Sequence, residues 1–291
     1  MLFRGVFINR KEANALCTIE KLIKDKIHYK GTQYLSNNEF EINDNNSISF
    51  LKLNFNNIKS LKILSNFNNL EELVITSRSF KNVDSSFVYL KNLKILSFYS
   101  CPFEDFPKTL FLLGNLISLT IVGSYIQKVP KKIGLLKNLV VLNLYNNKLN
   151  SLDPSIGSLK KLSVLDLCIN NLETLPDEIS LLSDLKILKC SLNKLKSLPN
   201  LKNLRNLTVL EIYCNFIYSI EGLPFNLEIL DLSSNKLQTI PNSIYEMKKL
   251  NFLKLNRNKL NYNDPKYINL LNLEFFDPLE SQISLNLSFK K

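Results

Sequence analysis

The chain contains no tryptophan, one histidine and only seven glycines among its 291 residues. Each scarcity removes a class of chemistry. With His28 alone, a Ser-His-Asp or Cys-His relay could be built only in the N-terminal region. The scattered glycines form no phosphate-cradling loop. The five cysteines, Cys17, Cys101, Cys168, Cys190 and Cys214, are odd in number and never fall in a CxxC pair. That pattern signals neither a disulfide framework nor a zinc site. No His/Cys/carboxylate cluster has metal-ligand spacing, so no cofactor is expected. No hydrophobic run approaches the length of a transmembrane helix. The apolar start, Met1 to Ile8, is too short and too interrupted by Arg4 for a signal peptide. A cytoplasmic, reducing location is expected, with export by a signal-independent route as the alternative.

Leucine, asparagine and lysine are abundant. Hydrophobic residues make up 45% of the chain, enough for a substantial core, and the formal net charge is +11. A basic balance raises the question of an acidic partner. The cations are dispersed, however, and the densest group, Lys21, Lys24, Lys26 and Lys30, is diluted by Glu20 and Asp25. Dispersed lysines read as solvated faces rather than a nucleic-acid groove.

The organising feature is a repeat. The pattern Leu-x-x-Leu-x-Leu-x-x-Asn-x-Leu begins at Ile48, Leu70, Leu93, Leu116, Leu139, Leu162, Leu185, Leu207, Leu227 and Leu250. The steps are 20 to 23 residues. The second and third apolar positions lie two residues apart, so both point to one face of a short strand. One repeat alone cannot bury that face; a stack buries it as a column of parallel strands about 4.8 Å apart. The ninth position reads Asn56, Arg78, Cys101, Ser124, Asn147, Asn170, Asn193, Asn215, Asn235 and Asn258. An amide there can bond the backbone groups that the turn exposes. Arg78 breaks the ladder and leaves the second turn without an obvious partner.

These residues resemble the leucine-rich repeat family over residues 48–276, in ten to eleven copies. Several repeats add Leu-Pro-x-x-Ile-x-x-Leu, as in Leu175, Pro176, Ile179 and Leu182, which is similar to a 23-residue subclass of intracellular scaffolds and bacterial repeat proteins. The resemblance implies an α/β solenoid: a curved horseshoe with a parallel sheet on its concave face and short helical turns on its convex face. It specifies fold strongly and function weakly.

Both ends depart from the repeat. Residues 1–47 read as an N-terminal cap. Residues 10–27 form an amphipathic pattern with Ala13, Leu16, Ile19, Ile23 and Ile27 on one side, and Asn9 with Glu12 suggests a capping box. Residues 39–43 and 47–53 read as a hairpin around Asp44-Asn45-Asn46. Residues 277–291 read as a C-terminal cap. Leu273, Phe276 and Pro278 look like a decaying eleventh repeat, and Ile283, Leu285, Leu287 and Phe289 alternate as an edge strand.

In this template the third, fifth, seventh and eighth positions face the concave side. Four cations there balance four anions, so the net charge lies elsewhere. The candidate partner-binding residues are Tyr99, Val122, Tyr145, Cys168, Ile169, Leu192, Tyr213 and Cys214, because exposed apolar groups with tyrosine mark interfaces. Third-position Ile and Val merely suit strands. Cys190 takes a core position, whereas Cys168 and Cys214 fall on the exposed side, two strands and roughly 9.6 Å apart, too far for a disulfide. The expected function is a non-catalytic, monomeric scaffold recognising a protein or peptide. One alternative is a bacterial effector or surface protein acting on a host protein. Another is a ligase or hydrolase using Cys17 or His28.

Overall fold

Leucines two residues apart can share a core only if successive repeats lie side by side in register, and the computed structural model has this arrangement. It describes residues 1–30, 37–56, 58, 60–261 and the backbone of 284–286. The chain divides into two units, Met1–Gln127 with Leu135–Leu142, and Lys128–Gly134 with Asn143–Lys291.

The first unit opens with an antiparallel pair, β1 (Leu2–Phe3) and β2 (Val6–Phe7). Its turn residues Arg4 and Gly5 both have positive φ, 50° and 82°, matching the twist of a two-residue hairpin. Helix α1 (Arg10–Ile23) follows, and the Asn9 side chain accepts the Glu12 amide at its N-cap. The Glu12 carboxylate reaches elsewhere: it accepts the Ile48 amide at 3.0 Å. It is 2% exposed, and burial raises its pKa. The helix ends four residues earlier than the apolar pattern suggests. Lys24 turns left-handed at φ 56°, so Ile27 is buried from outside the helix, alongside Ala13, Leu16 and Ile19.

Short β3 (His28–Tyr29) pairs with β4 (Glu39–Ile42), which forms the expected hairpin with β5 (Ile48–Asn54). Asn43 Oδ1 accepts the Asn45 and Ser47 amides and holds this turn. From β5 the sheet is parallel through β6 (Glu72–Thr76), β7 (Ile95–Tyr99) and β8 (Ser118–Val122). Leu51, Leu73, Leu96 and Leu119 stand in register and are wholly buried. Single 3-10 turns, Lys62–Asn66, Ser85–Tyr89 and Lys108–Leu112, return the chain to the next strand. Phenylalanines substitute for leucine here: Phe80 lies 6.0–6.4 Å from Phe55, Phe87, Phe98 and Phe103.

Next come β9 (Lys128–Val129), β10 (Val141–Asn143, at the boundary of the units) and β11 (Ser151–Leu152). In the second unit β9 pairs in parallel with β11. The strands β12 (Val164–Asp166), β13 (Ile187–Lys189), β14 (Val209–Glu211), β15 (Ile229–Asp231) and β16 (Phe252–Lys254) form a parallel sheet. Its central row, Leu165, Leu188, Leu210, Leu230 and Leu253, is fully buried. Antiparallel β17 (Ser284–Asn286) pairs with β16. Leu273, Phe276, Pro278, Ile283, Leu287 and Phe289 lie outside the described residues, and of Leu285 only the backbone is described.

The asparagine ladder supplies the turn bonds. Asn193 Nδ2 donates to the carbonyls of Leu167, Cys190 and Ser191 at 2.9, 3.0 and 3.3 Å, while its Oδ1 accepts the Leu172 amide at 3.0 Å. Asn170, Asn215, Asn235 and Asn258 repeat this four-bond pattern. The substitutes keep part of it. The Cys101 thiol donates to the Ile75 and Tyr99 carbonyls, and the Ser124 hydroxyl donates to the Cys101 carbonyl. At Arg78 the neighbouring Ser77 takes over: its buried Oγ accepts the Ser79 and Phe80 amides. A second, exposed row was not anticipated. Asn92, Asn115, Asn138, Asn206 and Asn226 each donate to a carbonyl of the preceding repeat at 2.6–3.0 Å.

Replacing Asn193 by Ala should destabilise the chain by about 1–3 kcal/mol, because it orphans the buried Leu172 amide and several carbonyls. Leu188→Ala should cost roughly 2–5 kcal/mol. Urea unfolding measures both, and an Asn193→Ala midpoint equal to that of the parent would contradict this account of the turn.

Candidate interaction face

One face of each parallel sheet is packed on the core; the other is open. In the first unit Tyr99 and Val122 stand opposite each other on β7 and β8. Tyr99 is 39% exposed and Val122 half-buried. In the second unit Tyr145, Ile169, Leu192, Tyr213 and Cys214 come from successive repeats. Backbone bonds from the Asn146, Ile169 and Leu192 amides to the next repeat carry the ladder past the strand ends and hold these positions side by side. Tyr145 is 36% and Leu192 41% exposed; Ile169, Tyr213 and Cys214 are half-buried.

Cys168 departs from the expectation of an exposed thiol: it is 6% exposed. Its short side chain sits against the Asp166 carboxylate and the Ser191 amide, within electrostatic reach of the Tyr213 phenol. Ser191, Ser233 and Asn256, also at the seventh position, are buried for the same reason: small side chains are shaded by taller neighbours. In the second unit the surface on this row therefore belongs to the tyrosines.

Three fifth-position Asp and Asn side chains carry a local task. Asn143, Asp166 and Asp231 each use Oδ1 to accept the amide two residues on, at 2.9–3.0 Å. Lys189 pairs with Glu211 at 3.0 Å, and Lys254 approaches Asp231 at 4.0 Å. In the first unit Lys52 pairs with Glu39 at 3.6 Å. These pairs, partly exposed except at the buried Asp231, offset much of the charge on the face.

A backbone constraint on the eighth position has no counterpart in the leucine pattern. Ser100, Gly123, Asn146, Ile169, Leu192, Cys214, Ser234 and Arg257 all have φ between 53° and 69°. Glycine and asparagine visit this left-handed region readily, whereas a branched residue there is strained by about 1–2 kcal/mol. Gly123 and Asn146 were the available signal; Ile169 and Leu192 obscured it.

All five cysteines are free thiols. Burial pushes Cys101 and Cys168 up to about 12 and raises the wholly buried Cys190 well above the ordinary thiol value. Cys17 is half-buried on α1, and His28 is tied by its amide to the Asn38 carbonyl. No cluster of His, Cys, Asp and Glu among the described residues could hold a metal ion, and no described helix is long and apolar enough to cross a membrane.

The stacked parallel strands, single-turn returns and asparagine ladder define the class of parallel-strand repeat proteins. Residues 205–260 match the family model described as leucine rich repeat. Among solved structures the chain resembles an internalin from Listeria monocytogenes at 24% identity and a TM-score of 0.65, over 79% of this chain and 68% of that one. It also resembles the LRR ectodomain of the plant membrane receptor kinase GASSHO1/SCHENGEN3 from Arabidopsis thaliana, in complex with CASPARIAN STRIP INTEGRITY FACTOR 2. There the identity is 24% and the TM-score 0.62, over 77% of this chain and 26% of that one. A chain of the Toll–Spatzle complex of Drosophila gives 23% identity and a TM-score of 0.64, over 78% of this chain and 32% of that one. The chain thus spans only about a quarter to a third of the last two. At these identities the likeness shows the fold. No curated protein matches. The chain has the leucine-rich repeat fold.

Two measurements check the face. Native alkylation should modify Cys17 and Cys214 first, with Cys101, Cys168 and Cys190 reacting only on unfolding; rapid native labelling of Cys168 would refute its burial. Leu192→Asn should raise stability by about 0.5–1 kcal/mol by relieving the left-handed strain. A lower urea midpoint would show that the side chain contributes more than its backbone conformation costs.

Proposed function

We propose that the chain is a non-catalytic recognition scaffold that binds a protein or peptide on the open strand face, the side expected to be concave. The observation that supports it best is the cluster in the second unit. Tyr145 and Leu192 are solvent-exposed beside half-buried Ile169 and Tyr213, on a rigid ladder. Ile169 and Leu192 also keep branched side chains in a left-handed conformation that asparagine would occupy with less strain. Large apolar groups retained against backbone preference, with tyrosines as adjacent anchors, suit an interface. Fold relatives solved with a partner, such as the Arabidopsis ectodomain with its bound factor, are consistent with this reading.

The competing surface is basic. Lys131, Lys132, Lys160 and Lys161 are exposed in the same unit, on and after the 3-10 turns. Once a partner has been captured, one affinity measurement on two variants separates the surfaces. The pair Tyr145→Ala with Tyr213→Ala should weaken binding by about 2 kcal/mol or more, with little effect on folding. The four lysines changed to Ser should leave affinity nearly unchanged. Normal binding by the tyrosine variant, with loss in the lysine variant and a steep salt dependence, would overturn the assignment.

A further inference from the structure

Along the second unit's open face the seventh-position side chains drop from Tyr213 to Ser233 and Asn256, while the eighth-position ones rise from Cys214 and Ser234 to Arg257. Short side chains between two tall ones leave a hollow of about 370 Å³, lined chiefly by Tyr213, Asp231, Ser233, Ser234, Lys254 and Arg257. Its charge is one-sided. Asp231 is 8% exposed, and its Oδ1 already accepts the Ser233 amide at 3.0 Å and the Ser233 hydroxyl at 2.6 Å. Its Oδ2 lies 4.0 Å from Lys254 Nζ, a looser approach than the 3.0 Å of Lys189 to Glu211. Arg257 is exposed and makes no ion pair among the described residues. A guest therefore meets a guanidinium, a loosely paired ammonium and the Ser234 and Tyr213 hydroxyls, while the one carboxylate is engaged by the protein itself. A cationic guest would be repelled and a neutral one would leave the guanidinium without a counter-charge. A carboxylate can take the guanidinium through two parallel bonds.

We propose that this hollow receives an aspartate or glutamate side chain of the partner and is the charged subsite of the recognition face. The proposal rests on the recognition reading above. The apolar contacts of Tyr145, Ile169 and Leu192 then supply the anchor, and the hollow beyond Tyr213 selects for an acid at a fixed distance from it.

A randomised short-peptide display library, panned on the intact chain, tests this. Enriched peptides should carry an acidic residue at a constant spacing from an apolar one. Arg257→Ser should weaken the best peptide roughly ten-fold or more. Serine is tolerated in this left-handed conformation, since Ser100 and Ser234 hold it at the same repeat position. Exchanging the peptide's acid for its amide should weaken binding to the parent by the same factor. The two changes together should be no worse than either alone, because both remove one interaction. Additive losses overturn the subsite, as does enrichment without an acid. If peptides are enriched that depend on Tyr145 but not on an acid, only the subsite falls. If no peptide is enriched, or single-stranded nucleic acid binds instead and is lost with Arg257→Ser, the recognition reading falls with it.

Discussion

Every repeat must turn out of its strand inside the stack, and a buried turn leaves backbone groups that water cannot reach. The amide of one asparagine meets that constraint. Asn170, Asn193, Asn215, Asn235 and Asn258 each donate to three carbonyls and accept one amide, and two of the four partners belong to the preceding repeat. The bond set therefore closes its own turn and fixes the distance to the neighbour. Leucine burial drives the stack together, but it is non-directional. The asparagines turn a greasy column into a ladder of one register.

That register dictates the open face. Each strand is only three residues long in most of the second unit, so the backbone leaves the sheet almost at once. Fifth-position Asp and Asn side chains bend onto the departing amides, and the eighth residue swings left-handed. Residues that look like a free display surface in a repeat template are therefore sorted by local backbone demands. Small ones such as Ser191 and Cys168 are swallowed, acids are recruited to the turn, and the tall tyrosines and Leu192 remain. Beside them stand the Lys189–Glu211 pair and, further along, Lys254 and the exposed Arg257.

The N-terminal region is held by a different kind of contact. Buried Glu12 bonds the first amide of β5, so helix α1 is joined to the sheet by a polar contact as well as by Ala13, Leu16 and Ile19. A carboxylate held there against its solvation preference favours one docking of the helix, since sliding would leave it unpaired.

The repeat, the leucine column, the ninth-position ladder and the N-terminal hairpin were legible in the sequence, because each rests on a period or on a local turn signal that tertiary context reinforces. The candidate tyrosines were legible by position. What the sequence did not disclose depends on neighbours from other repeats. The second asparagine row is one case, since each partner lies a full repeat away; Ser77, which accepts the Ser79 and Phe80 amides beside Arg78, is instead a local turn outside the asparagine pattern. Cys168 is buried against Asp166 and Ser191, within electrostatic reach of Tyr213 two strands on, and α1 ends at a left-handed Lys24. The hollow beside Arg257 exists only because short and tall side chains of three successive repeats are brought together. Periodicity states which way a residue points; only packing decides what stands over it.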